Sequence, residues 1–287
     1  MGLLGGKVAI VTGAGGAIGR ATALLLARHG ASVVAGDLGT APDGTGSSPE
    51  PARGVAGEIE QAGGAAVACC ADVSREEGAA AVVRAAVERF GRLDALVTCA
   101  GIARRAPLLE LGRAAWEAVL GVELAGTFLC LQRAAAQMVA QGEGGRIVCT
   151  TGMAGLRGAG GEAAAAAAEA GIYGLVRAAA IELEPHRITV NAVCAVAKTR
   201  LTEDLTTFLG MDALSPEHVA PAALFLASGL CGERSGQVLG AAGGRMSLYQ
   251  LVESRGQHKD RAEIWTAEEI AEYWAAIAKP WGGTGGM

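Results

Sequence analysis

The chain is poor in aromatic residues, which make up 4% of its 287 positions, and it holds only four His. Its core must therefore be built from small aliphatic side chains, and 51% of the residues are hydrophobic. A large excess of either charge is also missing. The formal net charge is −5, with no basic stripe, which argues against nucleic acid as a partner. Long apolar runs are absent from the N-terminus. "MGLLGGKVAIVTG" holds only Val8 to Val11 before a Gly-rich turn, too little for a signal peptide or a membrane span. The seven cysteines (Cys69, Cys70, Cys99, Cys130, Cys149, Cys194, Cys231) form no C-x-x-C pair. They predict neither a metal centre nor a disulfide framework, but mostly small buried hydrophobes in a reducing, cytoplasmic setting.

What is present is an alternation. "KVAIVTG", "ASVVAGD", "AAVACCAD", "LDALVTCAG", "GRIVCTTG", "RITVNAV" and "SGQVLGAAGG" are strand-like, and helical stretches such as 19–29 and 75–90 lie between them. Continuous apolar strands alternating with helices predict an α/β fold, a parallel sheet covered on both faces. No membrane-spanning segment or repeat is predicted. Residues 38–54 are rich in Gly, Pro and Ser and are expected to form a mobile surface insertion.

After Gly244 the composition changes. Trp265, Trp274 and Trp281 lie there, with Tyr249 and Tyr273. "WTAEEIAEYWAAIAKP" predicts a helix with Thr266 as N-cap and Glu269 completing a capping box. Trp265 and Ile270 occupy the staple positions, and Pro280 ends it. The sequence thus divides into residues 1–245 and an aromatic-rich helical extension, 246–287. So many aromatics call for a surface to cover them, on this chain or on a neighbouring subunit.

Residues 8–37 read as strand, Gly-rich turn, helix and second strand. Gly13, Gly15 and Gly19 allow a tight turn whose free N–H groups favour a pyrophosphate. Asp37 ends the second strand, 18 residues after Gly19. A carboxylate there accepts ribose hydroxyls and repels a 2′-phosphate, favouring NAD over NADP.

"TGAGGAIG" at 12–19, "ADV" at 71–73, "AGI" at 100–102, "GRIV" and "GMAG" between 145 and 155, and "ITVNAV" at 188–193 resemble the short-chain dehydrogenase/reductase family over about residues 5 to 245. "DLG" with its Gly-rich insertion, "TRLT" at 199–202, "LSPEHVAPAALFLAS" and the aromatic tail resemble one subgroup. It comprises the (3R)-hydroxyacyl-CoA dehydrogenase domains of peroxisomal multifunctional enzymes type 2 and their bacterial relatives. The resemblance implies a single Rossmann-type, doubly wound domain with a seven-stranded parallel sheet, NAD binding, and acyl-CoA or steroid-CoA ligands. It places Thr12, Gly13, Gly15, Ala17, Ile18, Gly19, Asp37, Asp72, Val73, Ala100 and Gly101 at the cofactor. Ala17 stands where the family often has Gly, and its methyl crowds the phosphates.

The resemblance also implies four catalytic side chains: Asn, Ser, Tyr and Lys. The flanking residues put those positions at Glu123, Gly152, Ala165 and Glu169, Gly152 being thirteen residues before Ala165 as the family spacing requires. None of the four family side chains is present. A Tyr phenolate takes the alcohol proton in the family, and Ala165 has none to move. Glu169 reverses the charge that holds that phenolate. Thr98-Cys99-Ala100-Gly101 and Ala195-Val196 also depart from the family on the nicotinamide side. A nucleotide is expected to dock by its adenosine half, with weakened hold on the nicotinamide.

Three readings follow. The first is a non-catalytic structural or regulatory subunit. It would form a homo-oligomer, or a heteromer with an active paralogue, through helices near 112–141 and 162–184. The second is an enzyme using Glu123 and Glu169 as an acid/base pair. The third is an NAD-dependent oxidoreductase of a hydroxyacyl-CoA or steroid-type alcohol working through Thr150, Tyr173 or water. Tyr173 lies eight residues after Ala165, about 12 Å along a helix, and reads as a packing residue. Thr150 is one pleat deeper than Gly152.

Overall fold

The structure is a computed structural model that describes residues 2–202, 214–260 and 263–280. It divides into two compact units, 1–248 and 249–287. The first is a doubly wound α/β unit. Its sheet has the strand order β3-β2-β1-β4-β5-β6-β7-β8. The strands are β1 (Val8–Thr12), β2 (Ser32–Gly36), β3 (Ala65–Cys69), β4 (Ala95–Thr98), β5 (Gly145–Thr151), β6 (Ile188–Val196), β7 (Val238–Ala242) and β8 (Arg245–Tyr249). The pairs from β3 through β7 are parallel. Every residue of β1 and β4 is buried, as two covered faces require. The expected seven parallel strands gain an eighth at the edge. Gly243 and Gly244 turn the chain from β7 into β8, a two-residue link that only an antiparallel pair permits.

Among the described residues, helices α1 (Ala17–Arg28), α2 (Glu50–Gln61), α3 (Glu76–Phe90), α4 (Arg113–Leu120), α5 (Gly126–Gln141), α6 (Ala154–Arg157), α7 (Ala163–Leu183) and α8 (Ala220–Ala227) belong to this unit. The stretch 112–141 is not one uniform helix. A π-helical turn, Gly121–Ala125, separates α4 from α5 and holds Glu123.

The Ala-rich run makes most of α7. Ala164, Ala168, Ile172, Val176 and Ala180 are buried at every fourth position, one stripe down the helix. Small side chains let this stripe lie close to the sheet. Two helical stretches, Arg113–Gln141 and Ala163–His186, are long and apolar enough to cross a membrane by length and composition. Here their buried residues pack within the α/β unit.

The order reverses direction between β1 and β4. Chains leaving the two strands diverge there and open a crevice at their carboxyl ends, where α/β sheets bind ligands.

In the second unit the expected helix is split into α9 (Ala267–Glu272) and α10 (Trp274–Ile277), with Tyr273 between them. The capping box of Thr266 and Glu269 is formed. Trp265 meets Tyr273 edge-on at 5.9 Å and lies under the Lys259 ammonium at 5.0 Å. Trp281 lies outside the described residues.

Candidate functional site

A cavity of about 440 Å³ occupies the crevice. Among the residues expected at a nucleotide, Gly13, Ala17, Ile18, Gly19, Asp37, Asp72, Val73, Ala100 and Gly101 line it. Thr12 and Gly15 shape it without lining it. Thr12 is buried, and its hydroxyl accepts the Cys99 N–H at 3.3 Å, joining the ends of β1 and β4. Gly15 donates its N–H to Asp37 at 2.8 Å.

The glycines are sterically required. Gly13 has φ +63°, and a Cβ there would stand 2.6 Å from Ala100 N. A Cβ on Gly19 would stand 2.1 Å from Gly13 O. The turn and α1 are therefore packed backbone on backbone. Gly16 caps α1 with no side-chain bond, so its first-turn N–H groups keep their affinity for an anion. Asp37 accepts from Gly15 with one oxygen and from Gly39 at 2.6 Å with the other. Both oxygens retain lone pairs for ribose hydroxyls. Asp72 accepts the Ser74 hydroxyl at 2.6 Å and fixes the turn into α3. These residues fit the adenosine and diphosphate half of a dinucleotide. Among the described residues no group of three His, Cys, Asp or Glu can hold a metal.

At the other end of the crevice, Gly152 meets Glu169, and Glu123 lies within the field of Glu169. A Cβ on Gly152 would stand 2.2 Å from Glu169 Oε1, so the Glu169 carboxylate fills the space a side chain at 152 would enter. Glu169 is held there by the Gly155 N–H at 2.8 Å. Burial raises its pKa, the N–H groups of Gly155 and Ala154 oppose the rise, and Glu162 adds to it. Glu123 lies beside Gly101, whose Cβ would stand 3.3 Å from Oε1. Burial first, and then the charges of Glu169 and Glu162, push the Glu123 carboxyl up to about 8 against the Ile102 N–H. Burial and the two charges each favour the protonated form of Glu123. Ala165 packs against the small apolar cluster of Ile102, Val119 and Ala164.

Glu162 and Arg105 were not anticipated. They pair at 2.7 Å, and Ala106 donates to Gly161 at 3.1 Å, tying the loop after β4 to the start of α7. Only the adjacent arginines in "AGIARRAP" hinted at a cation here.

The substitutes weighed for the missing groups lie elsewhere. Thr150 Oγ1 is 3.3 Å from Cys99 Sγ, one pleat below Gly152. Tyr173 lies beside Cys194 on β6. Burial pushes that thiol up to about 11, and the tyrosine hydrogen bond opposes the rise.

The short chain dehydrogenase family model matches residues 7–209. Hydroxyacyl-CoA dehydrogenase ChsB1 of Mycobacterium tuberculosis is 39% identical over 280 residues, covering 93% of this chain and 87% of that protein. Peroxisomal multifunctional enzyme type 2 of Drosophila melanogaster is 37% identical over 274 residues, covering 95% of this chain but only 45% of that enzyme. A crystal structure of a short chain dehydrogenase from Mycobacterium avium superposes with a TM-score of 0.85 at 36% identity, covering 99% of this chain and all of the other. On its matched residues, its relatives and its sheet, this chain belongs to the short chain dehydrogenase family, whose Rossmann-like members generally bind NAD(P).

Proposed function

We propose that the chain is a nucleotide-binding family member without the family's alcohol-oxidising chemistry. It serves as a structural or regulatory subunit, as a homo-oligomer or beside an active hydroxyacyl-CoA dehydrogenase-type paralogue. The observation that carries this reading is the Glu169 carboxylate lying where a side chain at 152 would stand. Gly152 has no hydroxyl to position a substrate oxygen. Ala165 has no proton to exchange. A Glu at 169 disfavours a neighbouring phenolate where a Lys would favour it. The adenosine half retains its glycine turn, the α1 N-terminus and Asp37. NAD is expected to bind with its nicotinamide weakly held.

Titrating the purified chain with NADH, followed by NADH fluorescence, tests the pocket. A steady-state assay with NAD and a (3R)-hydroxyacyl-CoA tests the chemistry. Saturable binding without turnover is expected. Turnover at rates ordinary for an enzyme, on the order of 1–10³ per second, would return the chain to the oxidoreductase activity of its relatives.

One observation favours a second reading. Glu123, raised to about 8, stands in the field of Glu169, so a proton donor and a proton acceptor share one cleft. Such a pair suits dehydration, where Glu169 would accept a carbon-bound proton and Glu123 would protonate the leaving oxygen, or isomerisation, where Glu123 would deliver a proton to another carbon. Hydration and isomerisation assays of E123Q and E169Q decide it. Unchanged rates in both variants remove this reading.

A further inference from the structure

Residues 38–48 leave β2 and do not stray outward as a loose insertion. Their ends are closed on each other, with Ser48 donating to Leu38 O at 2.9 Å. Within them, Ala41 donates to Thr45 O and Gly44 to Ala41 O, both at 2.9 Å, and Asp43 accepts the Thr45 hydroxyl at 2.7 Å. A loop with closed ends and its own internal bonds is an Ω-type element.

Its outer side reaches across the sheet. Ala103, after β4, donates to Pro42 O at 2.8 Å. Arg104 Nε donates to Asp43 O at 2.7 Å. Arg200, after β6, donates to Thr40 O at 3.0 Å. In the strand order, β4 lies two steps from β2 and β6 four steps, roughly 10 and 19 Å at the usual strand spacing. Gly44, at φ +85°, fits against Ile102, with its Cβ position 2.8 Å from Cδ1. Thr40, Gly44, Arg104 and Arg200 all line the cavity that holds Asp37 and the α1 N-terminus.

We propose that residues 38–48 form a strap closing the nucleotide groove, with Arg104 and Arg200 as its anchors, and that a ligand carrying adenosine diphosphate enters or leaves only when those anchors release. The inference rests on the nucleotide-binding reading above. The two guanidiniums suit the task. Each spends one donor on a strap carbonyl, and neither has a carboxylate at ion-pair distance among the described residues. Their remaining N–H groups are left for a phosphate inside the groove. The anchors thus bind strap and ligand at once, and nucleotide exchange is slowed in both directions.

The test uses the full chain, R200A, and R104A/R200A. Hydrogen exchange of peptides covering 38–48 is measured without ligand. Stopped-flow binding is measured with 1,N6-etheno-ADP, whose ribose hydroxyls are free for Asp37. Faster exchange of the strap in the double variant is expected, with association at least threefold faster and dissociation at least tenfold faster, and R200A intermediate. Unchanged exchange overturns the anchoring. Faster dissociation without faster association overturns the gate, since the arginines would then be ligand contacts alone. If no protein shows a fluorescence change, the nucleotide reading fails and the gate with it, an outcome distinct from equal rates.

Discussion

Glu123 lies in the π-helical turn between α4 and α5, with Ile102 N–H on its carboxyl and Glu169 and Glu162 in its field. Arg105 is close by, but it is paired with Glu162. A carboxyl raised to about 8 binds its proton more tightly in the folded chain than in the unfolded one, whose value is near 4.5. Stability from this group is complete below the unfolded value and is lost as pH climbs to about 8. The loss is at most about 1.4 kcal/mol per pH unit for one proton. The variant E123Q keeps the shape and removes the titration. Thermal unfolding between pH 5 and 9 should show wild type losing stability relative to E123Q up to about pH 8, then running parallel to it. Parallel curves throughout would mean that Glu123 is ionised at neutral pH. The nearness of Glu123 and Glu169 was legible from the sequence, because the family spacing puts both positions in one cleft. Glu162 and Arg105 were not, because two loops must fold before they meet.

At the scale of elements, the end of β5 and the face of α7 fit each other at one point. A side chain at 152 and the Glu169 carboxylate compete for one space. The variant G152S should therefore destabilise the chain by about 1–3 kcal/mol, the usual range for overpacking. In an E169A background the same serine should cost much less, a coupling above about 0.5 kcal/mol in a double-mutant cycle followed by urea unfolding. Additive costs would show that Glu169 swings clear without loss. The helix α7 was legible as a helix from its alanine run, and the stripe of every fourth residue explains why its alanines are not filler. Strands β1 to β7 were legible for a simpler reason: buried parallel strands are written as unbroken apolar runs. The strand β8 was missed because Met246 and Leu248 are half-exposed at a sheet edge, although the Gly243-Gly244 turn was a hairpin signal. The π-turn was missed because its five residues carry no Pro and keep the helical pattern of their neighbours. The strap was read as a mobile insertion because its carbonyl bonds go to segments sixty and more positions away, which composition does not encode.

At the scale of the molecule, α5 and α7 each bury one face and leave apolar side chains on the outward one. Phe128 is 42% exposed and Ile181 74%. Trp116, Leu120, Leu124, Phe128 and Leu175 line a shallow hollow whose walls are mostly apolar. A contiguous patch of this kind on two neighbouring helical stretches calls for a covering surface. A two-fold contact would bring the same patch from each copy together. The proposed subunit role places the interface here, on the α4–α5 and α7 helices, rather than on the nucleotide groove. Because Phe128 and Ile181 are exposed in the single chain, F128E and I181E should leave its fold and its NADH binding intact. In an assembly each would set two charges in an apolar contact, weakening association by ~2 kcal/mol or more, which is roughly thirtyfold. Light scattering coupled to size exclusion at micromolar concentration should then give a dimer or larger assembly for the wild-type chain and a smaller species for the double variant. A wild-type chain that is monomeric both alone and when mixed with an intact hydroxyacyl-CoA dehydrogenase-type paralogue would remove the subunit role. A double variant of unchanged mass would move the interface to another face.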